Sequence, residues 1–274
     1  MRDQATELRN LVLRSARIRT AEVAPAPRLI TVSGGKRGVG VTTLALNLAA
    51  ALSELGARVV LVDADFESGD VAQKCQLVEG ANVADVMEAR RDIHEVLQRG
   101  PGGLLVVPGT VTGERHESSE VGQHRLLRQC QTLGRHADLV VLDAGNGATK
   151  AVRRFWQAAD DVALVTTPEA VSVMDAYATL KTHVSPRNNA LLHLVVNRAT
   201  EACEAEDVHR RIDQSCRRFL GFGIQWLGHL PVDPEVTASG QRRTPFVDDA
   251  CPAAHAINQL AQQLNYSRSH ARAS

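Results

Sequence analysis

The residues best suited to chemistry begin at Gly34-Gly35-Lys36-Arg37-Gly38-Val39-Gly40-Val41-Thr42-Thr43, set between the apolar run Leu29-Ile30-Thr31-Val32 and an alanine- and leucine-rich stretch. A strand that turns through glycines into a helix aims a row of backbone N–H groups, and the positive end of the helix dipole, at one point. A phosphate chain suits that point. Gly35, Lys36, Arg37, Gly38, Val39, Gly40, Val41, Thr42 and Thr43 are therefore the candidate nucleotide-binding residues. The Thr42 hydroxyl is suited to ligate Mg²⁺, and Thr43 to cap or pack. The frame Gly35-x-x-x-x-Gly40-Val41-Thr42 keeps the spacing GxxxxGK[ST] but puts valine where the lysine belongs. On this stretch alone, a glycine-rich turn that binds nothing stays open.

Carboxylates recur where apolar runs end. Arg58-Val59-Val60-Leu61-Val62 leads into Asp63-Ala64-Asp65, and Asp138-Leu139-Val140-Val141-Leu142 into Asp143, followed by Ala144-Gly145-Asn146-Gly147. The C-terminal ends of strands face the ligand crevice in α/β sheets. The pattern strand-Asp-x-x-x-Gly suits an aspartate that holds a Mg²⁺-bound water, Asp143, and a glycine that lends an N–H to a γ-phosphate, Gly147. The Asp63-Ala64-Asp65 triplet serves equally as a turn or helix cap when read alone. Leu191 to Val196 ends at Asn197-Arg198, and Ile224 to Leu230 runs into Pro231-Val232-Asp233-Pro234.

Stepping from these residues to what holds them, the pattern predicts one α/β domain over 29–264. Its expected core is a doubly wound, mostly parallel sheet of about seven strands flanked by helices. The chain has 274 residues, and aromatics are 3% of them. Its core must therefore come from Val, Leu, Ile and Ala, which suits buried parallel strands under alanine-rich helices. With 31 basic and 31 acidic side chains, no charge excess points to nucleic acid. Cys75, Cys130, Cys203, Cys216 and Cys251 form no CxxC pair, which argues against a zinc knuckle or a secreted disulfide framework and for a cytoplasmic protein. No run approaches the roughly 18 apolar residues of a bilayer span, so the expectation is a protein neither exported nor membrane-spanning.

The stretch Gly35-Lys36-Arg37-Gly38-Val39-Gly40-Val41-Thr42-Thr43 resembles the deviant phosphate loop of the MinD/ParA ATPases, members of the SIMIBI class of P-loop NTPases. The resemblance implies ATP/ADP and Mg²⁺ as ligands and an ATP-dependent homodimer, in which Lys36 reaches the nucleotide of the other copy. It further implies that Asp63 lies near Mg²⁺, that Asp65 orients the attacking water, that Asn197 reads the adenine edge and that Pro231 lies beside the base. The catalytic candidates are thus Asp65, Lys36 and Asp63, and the metal candidates Thr42, Asp63 and Asp143. Positioning and charge stabilisation dominate phosphoryl transfer, so Val41 implies slow or absent hydrolysis with binding retained. Arg37, where relatives carry glycine, is a candidate to replace part of the lost charge, because arginine binds phosphate well and stays protonated.

Within that family the chain is most similar to the FlhG branch (also called FleN, or YlxH), regulators of flagellar number. Asp3-Gln4-Ala5-Thr6-Glu7-Leu8-Arg9 resembles the branch's DQAxxLR segment, which stimulates the signal-recognition-type GTPase FlhF. Gln4 and Arg9 are the partner-activation candidates on that resemblance. Residues 1–20 read as a basic helix carrying this segment and 21–28 as a linker. Gly100 to Gly109, Val162 to Tyr177 and Pro234 to Ile257 also resemble that branch. Phe66-Glu67-Ser68-Gly69-Asp70-Val71 instead looks like the CpaE/TadZ pilus-localisation branch, which also lacks the loop lysine. An FlhG-type switch and a hydrolysis-deficient scaffold of the TadZ/CpaE kind are the two readings, with ParA-type DNA partition a distant third. Ala253 to Leu264 is amphipathic at a spacing that serves a core as well as a membrane. The polar tail, 265–274, makes a poor membrane anchor, and 110–120 reads as a mobile loop.

Overall fold

The computed structural model describes residues 24–110, 119–184 and 189–271, without the side chains of 266–271. The candidate activator segment with Gln4 and Arg9, and nearly all of the 110–120 loop, lie outside the described residues.

The first strand, β1 (Arg28–Gly34), leads through the glycine loop into helix α1 (Val41–Glu54). Alanine and leucine favour the helical state here. The helix stops where Gly56 takes a left-handed φ of 87°. Gly56 N–H donates to Ser53 O and Ala57 N–H to Leu52 O, the paired bonds that close a helix C-terminus. Next come β2 (Val59–Asp63), α2 (Val71–Lys74), α3 (Val83–Met87), β3 (Gln98–Arg99) and β4 (Leu105–Val107). Beyond the 111–118 gap follow α4 (Glu120–Thr132), β5 (Leu139–Asn146), α5 (Lys150–Ala158), β6 (Asp161–Thr166) and α6 (Ala170–His183). The described chain ends with β7 (Leu191–Ala199), α7 (Ala202–Phe219), β8 (Gln225–Pro231), α8 (Pro234–Arg242) and α9 (Pro252–Ala271).

The strands form one eight-stranded sheet in the order β3-β4-β2-β5-β1-β6-β7-β8. Every pairing is parallel except β3 with β4. The sheet thus has one strand more than the seven expected. The extra one is the two-residue ribbon β3, which carries no apolar run for a sequence to reveal. From β1 the chain winds outward to β2 on one side and later to β6 on the other. The loop after β1 therefore sits at the reversal point where such sheets bind ligands.

Alternation along each strand divides the core. Ile30, Val32, Leu61, Val141 and Val165 face α1 and α9, whereas Val60, Val62, Val140 and Leu142 face α3, α4 and Phe155 of α5. Leu164, Val196, Val173 and Ile212 continue that second layer under α6 and α7. On α9, Ala253, Ile257, Leu260 and Leu264 are all buried in the α1 layer. The amphipathic face is core, and the backbone helix runs on to Ala271, through residues read as a tail. Among the described residues no helix is long and apolar enough to cross a membrane, and all five cysteines are free.

A candidate nucleotide site at the strand ends

The glycines after β1 have separate steric jobs. A Cβ at Gly34 would sit 2.5 Å from Asn146 Oδ1, and one at Gly35 would sit 2.5 Å from the backbone nitrogen of Ala176 in α6. Gly40, with φ 99°, precedes α1, and a Cβ there would come 2.3 Å from Asn197 Nδ2. Its absence lets the Asn197 carboxamide donate to Val39 O at 2.7 Å, tying the end of β7 to the loop. No side chain caps the start of α1, and no acidic residue lies in its first turn. Helix N-termini leave their first N–H groups without intrahelical partners. Here those amides border a crevice of about 330 Å³ lined by Arg37, Gly38, Gly40, Thr42, Asp65 and Arg198, among others. Gly40→Ala forces both a disfavoured φ and a clash. The expected result, by calorimetry, is a loss of nucleotide affinity of about tenfold or more, equivalent to the lower part of the 1–3 kcal/mol typical of such strain.

Asp65, Glu67 and Asp70 line the crevice, and two further carboxylates lie buried in β2 and β5. The β2–β5 register sets Asp63 beside Asp143, and both are fully buried. Burial, then the charge of Asp143, raises the Asp63 carboxyl well above the ordinary range against the pull of N–H donors from Val71 and Asp65. Burial likewise pushes Asp143 up to about 7, while the Thr42 hydroxyl acts in the opposite direction. Asp143 Oδ1 accepts the Gly145 N–H at 3.1 Å, but Oδ2 has no hydrogen-bond partner. An orphaned buried carboxylate oxygen beside a threonine hydroxyl fits a cation. Among the described residues no three His, Cys, Asp or Glu side chains converge on a metal position. One buried carboxylate oxygen and one hydroxyl make a donor set that suits Mg²⁺, which binds through few protein oxygens, keeps several waters and takes phosphate oxygens as ligands.

Other candidates are held in ways the sequence did not reveal. Asp65 accepts the Ser68 hydroxyl at 2.6 Å and the Glu67 and Ser68 N–H groups, closing a turn. It packs so close that a Cβ at Gly145 would lie 2.6 Å from its carboxyl carbon. Lys36 pairs with Glu169 at 3.2 Å within the same chain. Arg37 lines the crevice with its guanidinium paired to Glu67 at the surface. Gly147 N–H is donated to Gly34 O at 2.8 Å rather than presented to the crevice. The Asn197 carboxamide oxygen also accepts the Arg198 N–H at 2.9 Å, which leaves one amide N–H and one oxygen lone pair of that side chain uncommitted. Val39 is buried at 1% exposure and Val41 at 3%, and both belong to the α1 core. Thr43 supplies its carbonyl to Asn47 and lines the crevice. Pro231 ends β8 and lines a different crevice, with Trp226, Pro252 and Gln259.

Lys74, Ser68, Asp70, Asn146 and Arg198 also line the loop crevice. No sequence pattern marks them as site residues. Only their places at strand ends or just beyond were legible. A larger cleft of about 490 Å³ opens at the opposite ends of the strands, around Arg28, Asp138 and Asp160. It has neither a glycine loop nor a helix N-terminus.

A glycine loop at the reversal point of a mostly parallel sheet, with buried aspartates ending the adjacent strands, defines a P-loop nucleotide-binding protein. The chain belongs to the CobQ/CobB/MinD/ParA nucleotide binding domain family, whose model matches residues 30–246. It is 32% identical to the antiactivator FleN of Pseudomonas aeruginosa, over 87% of this chain and 86% of that one. It is 26% identical to the flagellum site-determining protein YlxH of Helicobacter pylori, over 74% and 69% of the two chains. The fold matches the septum site-determining protein MinD of Pyrococcus horikoshii, solved with Mg-ADP, at a TM-score of 0.73 and 21% identity, covering 87% and 96%.

Proposed function

We propose that this chain is an ATP-binding switch of the FleN/YlxH kind, which helps set the number or placement of flagella. The observation that carries the reading is the uncapped N-terminus of α1, opening on a crevice lined by Thr42 and Asp65, with the Asp143 carboxyl buried beside the Thr42 hydroxyl. The loop amides would take the phosphates of ATP, and the Thr42 and Asp143 oxygens would hold an accompanying Mg²⁺, which would offset phosphate charge. The names of the flagellar relatives support the cellular role.

Two copies then close around the nucleotide, with Lys36 of each serving the other. Exposed ion pairs are worth at most about 1 kcal/mol, so the Lys36–Glu169 contact, exposed at 33% and 66%, gives way readily. Val171 and Met174 stand on α6 beside Glu169 at 60% and 71% exposure, an apolar pair suited to burial between copies. The 1–20 segment, through Gln4 and Arg9, acts on an FlhF-like GTPase, while 29–264 forms the switch and 21–28 the linker. The site of action is the cytoplasm, at the inner membrane or pole through partners rather than through a strong anchor of its own.

Val41 in place of the loop lysine favours a second reading, a scaffold of the TadZ/CpaE kind that binds ATP and dimerises without useful turnover. Size-exclusion chromatography with light scattering tests the shared step. The expected result is a monomer alone, a dimer with Mg-ATP, and loss of that dimer in Lys36→Ala. A dimer unaffected by ATP or by Lys36→Ala contradicts it. ATP turnover beside FlhF then separates switch from scaffold.

A further inference from the structure

The missing loop lysine leaves the crevice in need of a cation from the same chain, and we propose that Arg198 supplies it, as a positioning residue for the nucleotide's phosphates. The inference rests on the nucleotide reading of the crevice. Arg37, Lys74 and Arg198 bring positive charge to its lining. Arg37 is paired with Glu67, an exposed contact that yields as readily as Lys36–Glu169, so the choice among the three turns on how each is held. Neither Lys74 nor Arg198 makes a side-chain ion pair with a described residue.

Arg198 is set apart by how it is held. Its φ of 59° is left-handed, a region that residues with a Cβ disfavour and that a surface arginine has no need to visit. The cause lies one residue back. Asn197 donates to Val39 O and accepts the Arg198 N–H, at 2.7 and 2.9 Å. Gly40, lacking a Cβ, makes the room. One carboxamide thus ties the loop between β1 and α1 to the Arg198 backbone, and Arg198 lines the same crevice as the first residues of α1. Lys74 sits on the four-residue helix α2 and lacks any such link to the loop. A guanidinium stays charged at every working pH and matches phosphate oxygens with paired donors.

The test uses Arg198→Asn, which removes the charge but tolerates left-handed backbone, and Arg198→Lys, which keeps it. Adenosine, AMP, ADP and ATP are titrated calorimetrically with Mg²⁺ at two salt concentrations, alongside thermal unfolding of the nucleotide-free proteins. Arg198→Asn is expected to unfold at the native temperature and bind adenosine as the native chain does. Its affinity for ADP and ATP falls at least tenfold, with a weaker salt dependence, and Arg198→Lys recovers most of it. Lys74→Ala is expected to change affinity less than threefold. Native ATP affinity in Arg198→Asn overturns the proposal, as does an equal loss for adenosine and ATP, which marks a loop-support role. A native chain that binds no nucleotide removes the underlying reading as well.

Discussion

Val41→Lys is expected to raise ATP turnover by about 10²–10³-fold, the range over which one preorganised donor to a developing charge typically acts. Val41 lies in the first turn of α1 with its side chain against the Gly34 backbone, buried at 3% exposure yet reaching the crevice wall. A lysine stem can follow the same apolar wall and release its ammonium among the phosphates. The gain must come from charge and not from filling space, so Val41→Met, similar in reach and neutral, is the control. Steady-state phosphate release from the variants decides it. No gain for lysine, or an equal gain for methionine, shows that the loop lacks more than a cation.

Asp161→Ala is expected to cost about 3–5 kcal/mol of stability, because removing one member of a buried ionic cluster strands the others. Asp161, at 1% exposure, joins Arg28 through Nε at 2.6 Å and Nη2 at 2.5 Å, and His193 Nε2 at 2.9 Å. Arg28 also donates to Leu264 O at 2.8 Å, so the cluster binds β1, β6, β7 and α9 at the strand starts. The nucleotide crevice lies at the other ends of those strands, about 15–20 Å away for strands of this length. Urea unfolding should show the loss, while nucleotide affinity of the folded protein stays within twofold of native. A native unfolding midpoint, or a matching fall in affinity, contradicts the assignment of this cluster to the scaffold alone.

What the sequence makes legible is whatever repeats along the chain at short range. The apolar runs ending at Gly34, Asp63, Asp143 and Asn197 became parallel strands of one sheet, β2, β5 and β1 side by side and β7 beyond β6, with those residues at or just inside their C-terminal ends. Glycine spacing located the phosphate loop, and the C-terminal stripe of Ala253 to Leu264 lay in the core. Contacts made across the fold stayed hidden. Arg37 meets Glu67, 30 residues on, and Asn197 meets Val39 across 158 residues, so no local pattern could show that both side chains are engaged. The left-handed turn at Arg198 has the same origin. It follows from a carboxamide held by a distant loop, and the dipeptide Asn197-Arg198 carries no sign of it.

The most direct measurement is calorimetric titration of the native chain with ATP in the presence and absence of Mg²⁺, with Asp143→Asn and Gly40→Ala alongside. One nucleotide bound per chain, tightened by Mg²⁺ in the native protein but not in Asp143→Asn and weakened in Gly40→Ala, is the expected result. No uptake of adenine nucleotide with Mg²⁺ present, or binding indifferent to all of these changes, would mean that the α1 amides do not hold a phosphate chain.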